Sequence, residues 1–411
     1  MNAASTGPAG LADTFGWDIG GAHVKACRLR GGRVHDVVQW PCPLWQGLQH
    51  LAQVLSAAHA RWPRLGQARH AVTMTGEMAD LFADREIGVQ RIAAVLVAHL
   101  GSAPTLYFYA GDAGWCRAAD VALHWQAIAS ANWLASARHA ALTLANRPAP
   151  ADQATAHPAS AGEGVLIDIG STTTDLIAFR AGRVLTRARN DHQRLASGEL
   201  VYQGVVRTPL CALVRRLPWR GARINLINEL FASSADVYRL TGELAPEHDQ
   251  QPSADGAAKT LDASRQRLAR MVGLDARDGS HADWLALAQA WRAEQVAELR
   301  SQLARVIDQH GLGPQALLIT AGCGDFLAPQ LLAAAATGPA GASSRCRPYA
   351  QAVARFTADA LPGSAAWAQV CAPSVAVAAL LLRDGASAPE SARPRPAAAE
   401  PQARCPVRES R

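Results

Sequence analysis

Lysine is almost missing from this chain: Lys25 and Lys259 are the only two among 40 basic residues, the rest being arginine. Alanine is abundant throughout, so the pattern reads as codon bias toward GC-rich triplets. A lysine that survives such a bias marks a site where a compact ammonium serves and a planar guanidinium does not. Long apolar runs are lacking as well. No stretch approaches the roughly 20 residues that span a bilayer, and the longest candidates, such as 375–382, are short or interrupted. The first dozen residues carry neither the basic start nor the apolar core of a secretory signal. These absences argue against a membrane partner and give a cytoplasmic expectation.

The eight cysteines form no CxxC and no Cys/His cluster at zinc spacing, which argues against a structural zinc or an iron–sulfur centre. Scattered thiols of this kind read as buried residues in a reducing compartment. Cys323, in "TAGCGDF", stands apart because its flanking glycines form a turn that can expose it. The net charge of +6 comes from arginines spread along the whole chain, with no basic run interleaved with aromatics. Nucleic acid is therefore not an expected partner. With 411 residues, 49% apolar and 18% charged, the chain has the composition of a globular protein long enough for two cores.

Two segments repeat. "WDIGGAHVKACRLRGGRV" (17–34) and "IDIGSTTTDLIAFRAGRV" (167–184) align without a gap at an offset of 150, with seven identities in eighteen positions. Each copy reads as strand, tight polar turn, strand, Gly-Arg turn, strand. Between them, 146–163 is rich in Ala, Pro and Ser and reads as a linker or surface loop. The expected organisation is a tail (1–12), a first domain (13–145), a second domain (164–383) and a Pro/Ala/Arg-rich tail (384–411), both tails disordered. Strands are expected at 70–76, 104–110 and 316–322. Helices are expected through 87–100, 119–145, 192–203, 223–240 and 284–309, and in the closing stretch to 383.

The paired turns carry the chemistry. A glycine after the strand lets backbone N–H groups approach an anion, and hydroxyls add donors that do not repel phosphate. The aspartate at the strand end holds a metal ion or its water rather than the phosphate itself. Two such turns on matched units face each other across one cleft. Asp18 and Asp168 are the candidate Mg²⁺ ligands. Gly20, Gly21, Gly170, Ser171, Thr172, Thr173 and Arg207 are the candidate anion binders, with Lys25 as the cation. Asp175, Glu199 and Glu77 are the carboxylates able to steady positive charge or accept a proton; Asp175 can also merely hydrogen-bond the Thr-rich turn, and Glu199 can pair with Arg207.

The two turns, with the glycine turn in "ITAGCGDF" (319–326), resemble the actin-like ATPase superfamily. The resemblance implies an α/β, two-domain actin-like (ribonuclease H-like) fold with an interdomain cleft. Within it, "GWDIGGAHVKAC" (16–27), "TMTGEMADLF" (73–82), "IASANWLASA" (128–137), "RLASGELVYQGVVRTPLCAL" (194–213), "FASSADVYRLTGEL" (231–244) and "SRQRLARMVGLD" (264–275) resemble the hydantoinase/oxoprolinase-related family. The similarity lies with its subgroup linked to tetrahydromethanopterin-dependent one-carbon transfer. That resemblance implies a synthase of a methanofuran-like carrier. Its substrates would be small molecules, an aminomethyl-furan diphosphate and the phenol of tyramine or tyrosine, with diphosphate released. The alternatives are an ATP-dependent kinase or an ATP-driven hydrolase of the hydantoinase/oxoprolinase type, and a non-catalytic nucleotide switch. The first turn, Gly-Gly-Ala-His, lacks the hydroxyl usual in the superfamily's ATPases, so ATP is an open question while Mg²⁺ is expected. Self-association is left open.

Overall fold

Strand β1 (Thr14–Ile19) is buried along its whole length, as a strand sandwiched on both faces must be. A computed structural model describes residues 13–101, 105–146, 162–332 and 345–385; the expected tail 1–12, most of the linker and residues 386–411 lie outside them. β1 pairs antiparallel with β2 (His23–Arg30), which pairs with β3 (Arg33–Pro41). On its other edge β1 runs parallel to β4 (Arg69–Met74), followed by β5 (Leu106–Tyr109) and the short β6 (Trp115–Cys116), giving the order β3-β2-β1-β4-β5-β6. Helices α1 (Gln49–Arg61) and α2 (Arg85–Leu100) cover one face, where Phe15, Trp17, Ile19, Val72 and Phe108 form a closed apolar cluster.

The second copy repeats the plan. β7 (Gly164–Ile169), β8 (Thr174–Arg180) and β9 (Arg183–Val184) are joined by β10 (Leu200–Val201). Farther along, a hairpin of β11 (Arg216–Trp219) and β12 (Ala222–Asn225) stands apart. β13 (Leu317–Ala321) and β14 (Cys346–Pro348) then complete the sheet β10-β8-β7-β13-β14. Each sheet is led by an antiparallel β-β-β unit whose first strand also runs parallel to a later one, β1 to β4 and β7 to β13, the ribonuclease H-like architecture that the resemblance implied.

Three sequence expectations need correction. The helix expected over 119–145 is two, α3 (Val121–Ile128) and α4 (Asn132–Ala145), broken at Ser130, whose φ is 51°. The helix expected over 192–203 is α5 (Asp191–Ser197), after which the chain turns into β10. The stretch 223–240 is a hairpin strand and then a helix only from Ser234 to Leu240. The hairpin turns on Arg220 and Gly221, with φ of 45° and 82°, the paired positive values that a two-residue primed turn demands.

The closing helix, Ala372–Arg383, comes from the second half yet packs against β1, β2, β4 and α4. Contact there is so close that a Cβ on Gly16 would lie 1.9 Å from the Ser374 carbonyl oxygen and 2.9 Å from the Ala378 methyl. Neither partner can rotate away, because one is backbone and the other a helix core residue. Gly16→Ala is expected to cost about 3 kcal/mol by overpacking, read from the urea midpoint at constant slope. No single described helix is long and apolar enough to cross a membrane.

Candidate active site

The two polar turns close identically. Gly20 N–H donates to the His23 carbonyl at 2.9 Å and Gly170 N–H to the Thr173 carbonyl at 2.8 Å. Both turns line one cleft cavity of about 380 Å³, to which Lys25, Asp18, Asp175 and Arg207 also contribute. That size suits a small phosphorylated ligand. Every anion-binding candidate named from the sequence, Gly20, Gly21, Gly170, Ser171, Thr172, Thr173, Lys25 and Arg207, is brought to this cavity.

The second turn is held from behind by the segment after β10. Val205 N–H donates to the Gly170 carbonyl at 3.1 Å, and Val206 and Arg207 N–H both donate to the Ser171 carbonyl. Gly204 allows this approach, since a Cβ there would lie 2.4 Å from backbone atoms of Ser171 and Thr172. Arg207 then projects into the cleft with its guanidinium 5.1 Å from the Trp45 ring. It does not pair with Glu199.

Charge differs between the two copies. Asp18 sits opposite Lys25 in the β1–β2 pair, and Asp168 sits opposite Asp175 in β7–β8. Lys25 Nζ lies 3.4 Å from Asp18 Oδ2, while Asp18 Oδ1 is buried with no hydrogen-bond partner among the described residues. Burial opposes charge on Lys25, yet Asp18 and, farther off, Asp168 hold its ammonium above the ordinary lysine range. In the second copy Asp175 is matched by the nearly buried Arg194, which also bonds Asp191. Asp168 has no such partner among the described residues, and burial lifts its pKa to about 7 against the pull of Lys25, with Asp175 and Asp18 adding repulsion.

This cluster fits a divalent cation. No three His, Cys, Asp or Glu side chains converge as a ready-made metal cage among the described residues. An orphaned buried carboxylate oxygen and a strained aspartate beside an anion cradle are what Mg²⁺ needs when it completes its shell with ligand phosphates and water.

The carboxylate candidates separate. Asp175 reaches the cleft but is bound to Arg194 rather than to the Thr-rich turn. Glu199 is a correction: it faces away, accepting from Thr186 and Ser197 and lying 3.0 Å from His310 Nε2, beside a different cavity. Leu200 lines the cleft, and side chains alternate along a strand, so its neighbour Glu199 turns to the opposite side. Cys323 borders the cleft but is buried, in line with the scattered thiols of the sequence, its thiol pushed up to about 12 by that burial. His23 is a turn residue bonded to Gln251, and burial, with Lys25 and Arg207 nearby, lowers it to about 3.

Glu77 lies beneath the first turn and is 1% exposed. Its Oε1 accepts from Ser130 Oγ at 2.7 Å, while Oε2 is buried with no hydrogen-bond partner among the described residues. Burial lifts its pKa from 4.5 to about 7, the Ser130 bond and Arg85 only partly offsetting it. A carboxyl raised on folding favours the native state below its unfolded pKa and withdraws that support as pH climbs through the folded value. Wild type should therefore lose roughly 3 kcal/mol relative to Glu77→Gln between pH 4.5 and 8, read from urea midpoints at each pH. Residues that sequence reasoning left unnamed are Arg194, Asp191 and Ser130. Arg194 and Ser130 sat inside stretches already singled out, but only the fold shows what they meet.

Two aspartate-ended turns on duplicated α/β units, facing one cleft lined by N–H groups, hydroxyls and cations, are the arrangement of an actin-like fold. Residues 69–358 match the family described as hydantoinase/oxoprolinase, and the chain belongs to that family. Two curated relatives are each named (4-{4-[2-(gamma-L-glutamylamino)ethyl]phenoxymethyl}furan-2-yl)methanamine synthase. The one from Methanocaldococcus jannaschii is 27% identical over 263 residues, covering 64% of this chain and 72% of that protein. The one from Methanococcus vannielii is 25% identical over 148 residues, covering 36% and 66%. Similar solved structures include nucleotide-free acetone carboxylase, at 10% identity and a TM-score of 0.46 over 80% of this chain and 67% of that one. A ROK family glucokinase from Streptomyces griseus with glucose and AMPPNP matches at 14% identity and a TM-score of 0.40, over 91% and 100%. Similarities this loose carry no argument about chemistry.

Proposed function

We propose that this protein is a cytoplasmic synthase that joins an aminomethyl-furan diphosphate to a phenolic oxygen and releases diphosphate, in assembly of a methanofuran-like carrier. The ether so formed is the linkage written into the names of the two relatives. The single observation that carries the reading is the charge pattern at the cleft: two anion cradles, a held ammonium at Lys25 and, on the strand that leads into the second cradle, Asp168, which has no ion-pair partner among the described residues.

In this reading the N–H groups of the two turns and the hydroxyls of the second, with Lys25 and Arg207, bind the diphosphate oxygens. They take up charge as the carbon–oxygen bond breaks and its electron pair leaves on diphosphate. Asp168 and Asp18 Oδ1 would hold Mg²⁺, which when bound supplies neutralisation of the leaving group. Asp175, fixed by Arg194, faces the same cleft and steadies the positive charge that develops on a furfuryl carbon. The units expected over 13–145 and 164–383, the second lending its closing helix to the first, hold this ligand between them.

The test incubates purified protein with Mg²⁺, the furan diphosphate and tyrosine or tyramine, following diphosphate and the ether by mass spectrometry. Ether with equal diphosphate supports the reading. ATP hydrolysis that depends on Asp168, without ether, replaces it with an ATP-driven kinase or hydrolase.

A further inference from the structure

Beside the cleft lies a second cavity, of about 440 Å³, formed where the ends of β5 and α3 and the start of α4 meet residues 189 and 190. Trp125, Trp133 and Leu134 give it apolar walls, and Trp133 is stacked by Arg194 at 4.2 Å from the cleft side. Its rim carries an exposed ion pair, Arg189 Nη2 to Asp112 Oδ2 at 3.1 Å. Ser130 lines both this cavity and the cleft.

Ser130 is a non-glycine residue at φ 51°, a conformation that costs about 1–3 kcal/mol and persists where the surroundings impose it. Here it places Oγ against buried Glu77 at the wall between the two cavities. Arg85, on α2, stands 4.0 Å from the same carboxylate with its Nε buried and unpartnered among the described residues. Asp191 on α5 is the other charge felt by Glu77.

We propose, resting on the synthase reading, that the second cavity seats the acceptor, a para-substituted phenol with an amino-acid tail, and that Ser130 takes the phenolic proton. The ring lies between Trp125 and Trp133, and the tail's ammonium and carboxylate meet Asp112 and Arg189. As the phenolic oxygen bonds to the methylene carbon, the carbon–oxygen bond to diphosphate breaks and its pair leaves on diphosphate. The phenolic proton passes to Ser130 Oγ while the Ser130 proton passes to Glu77. Glu77 is thus a positioning residue that acts through Ser130, and Arg85 supports its charged form.

The test uses steady-state kinetics of ether formation with L-tyrosine, tyramine and γ-glutamyltyramine. Ala113 is exposed on the turn Gly111–Ala113 at the cavity's edge, so Ala113→Trp fills the cavity without disturbing a core. It should raise the KM for each phenol about tenfold or more while leaving that for the furan diphosphate unchanged. Ser130→Ala should lower kcat about a hundredfold with both KM values near wild type. Glu77→Gln should abolish the rise of kcat with pH through neutrality. Arg189→Gln should weaken the two carboxylate-bearing phenols and spare tyramine. If wild type forms ether and these variants match it, the second cavity is not the acceptor site although the synthase reading stands. If wild type forms no ether, both fall together.

Discussion

Asparagine in place of Asp168 is expected to lower kcat/KM for ether formation about a thousandfold, or about 4 kcal/mol of transition-state stabilisation. The side chain keeps its shape and loses only its charge. Stability should hold or rise above neutral pH, because Asp168 lies near Asp18, Asp175 and Asp325 with no cation of its own. Activity and stability moving in opposite directions is the signature of a group strained for function. Turnover and urea midpoint measured on the same sample check both halves. A variant keeping a tenth of wild-type activity would show that Asp168 does not hold the metal.

Lys25→Met should move both quantities down. It leaves Asp18, 3% exposed, as a buried charge without its partner, at a cost of about 3–5 kcal/mol. The double variant Lys25→Met with Asp18→Asn should recover most of that stability and none of the activity, since the ammonium for the diphosphate is still gone. Lys25→Arg tests the composition argument directly. Its planar, longer head keeps the charge but cannot sit 3.4 Å from Asp18 and still meet the ligand, so less than a tenth of wild-type activity is expected. Full activity in Lys25→Arg would show that this lysine carries no special chemistry.

The turns were legible because their pattern is local: a strand, Asp-x-Gly, and hydroxyls, repeated without a gap. Lys25 was legible because composition made it costly. Glu199 was misread because its direction depends on strand parity, and a two-residue strand such as β10 leaves no alternation to count. The break at Ser130 has no glycine or proline to announce it, and its partner Glu77 lies 53 positions away in the chain. Arg194 meets Asp175 only because α5 folds back over β8, and no spacing rule links them. The glycines around Cys323 left its exposure open in the sequence, and in the fold they serve close packing: a Cβ on Gly324 would lie 2.5 Å from Ile169.

The helix Ala372–Arg383 also sets the order in which the protein can be made. More than 300 residues of chain separate it from β1 and β2, whose inner face it covers. While the ribosome synthesises that interval, the first sheet has its α1 and α2 layer but an open opposite face around Gly16. Completion of the first half therefore waits on the last described helix, and a chain stopped before Ala372 leaves the nascent sheet exposed to chaperones and proteases rather than folded as an independent half.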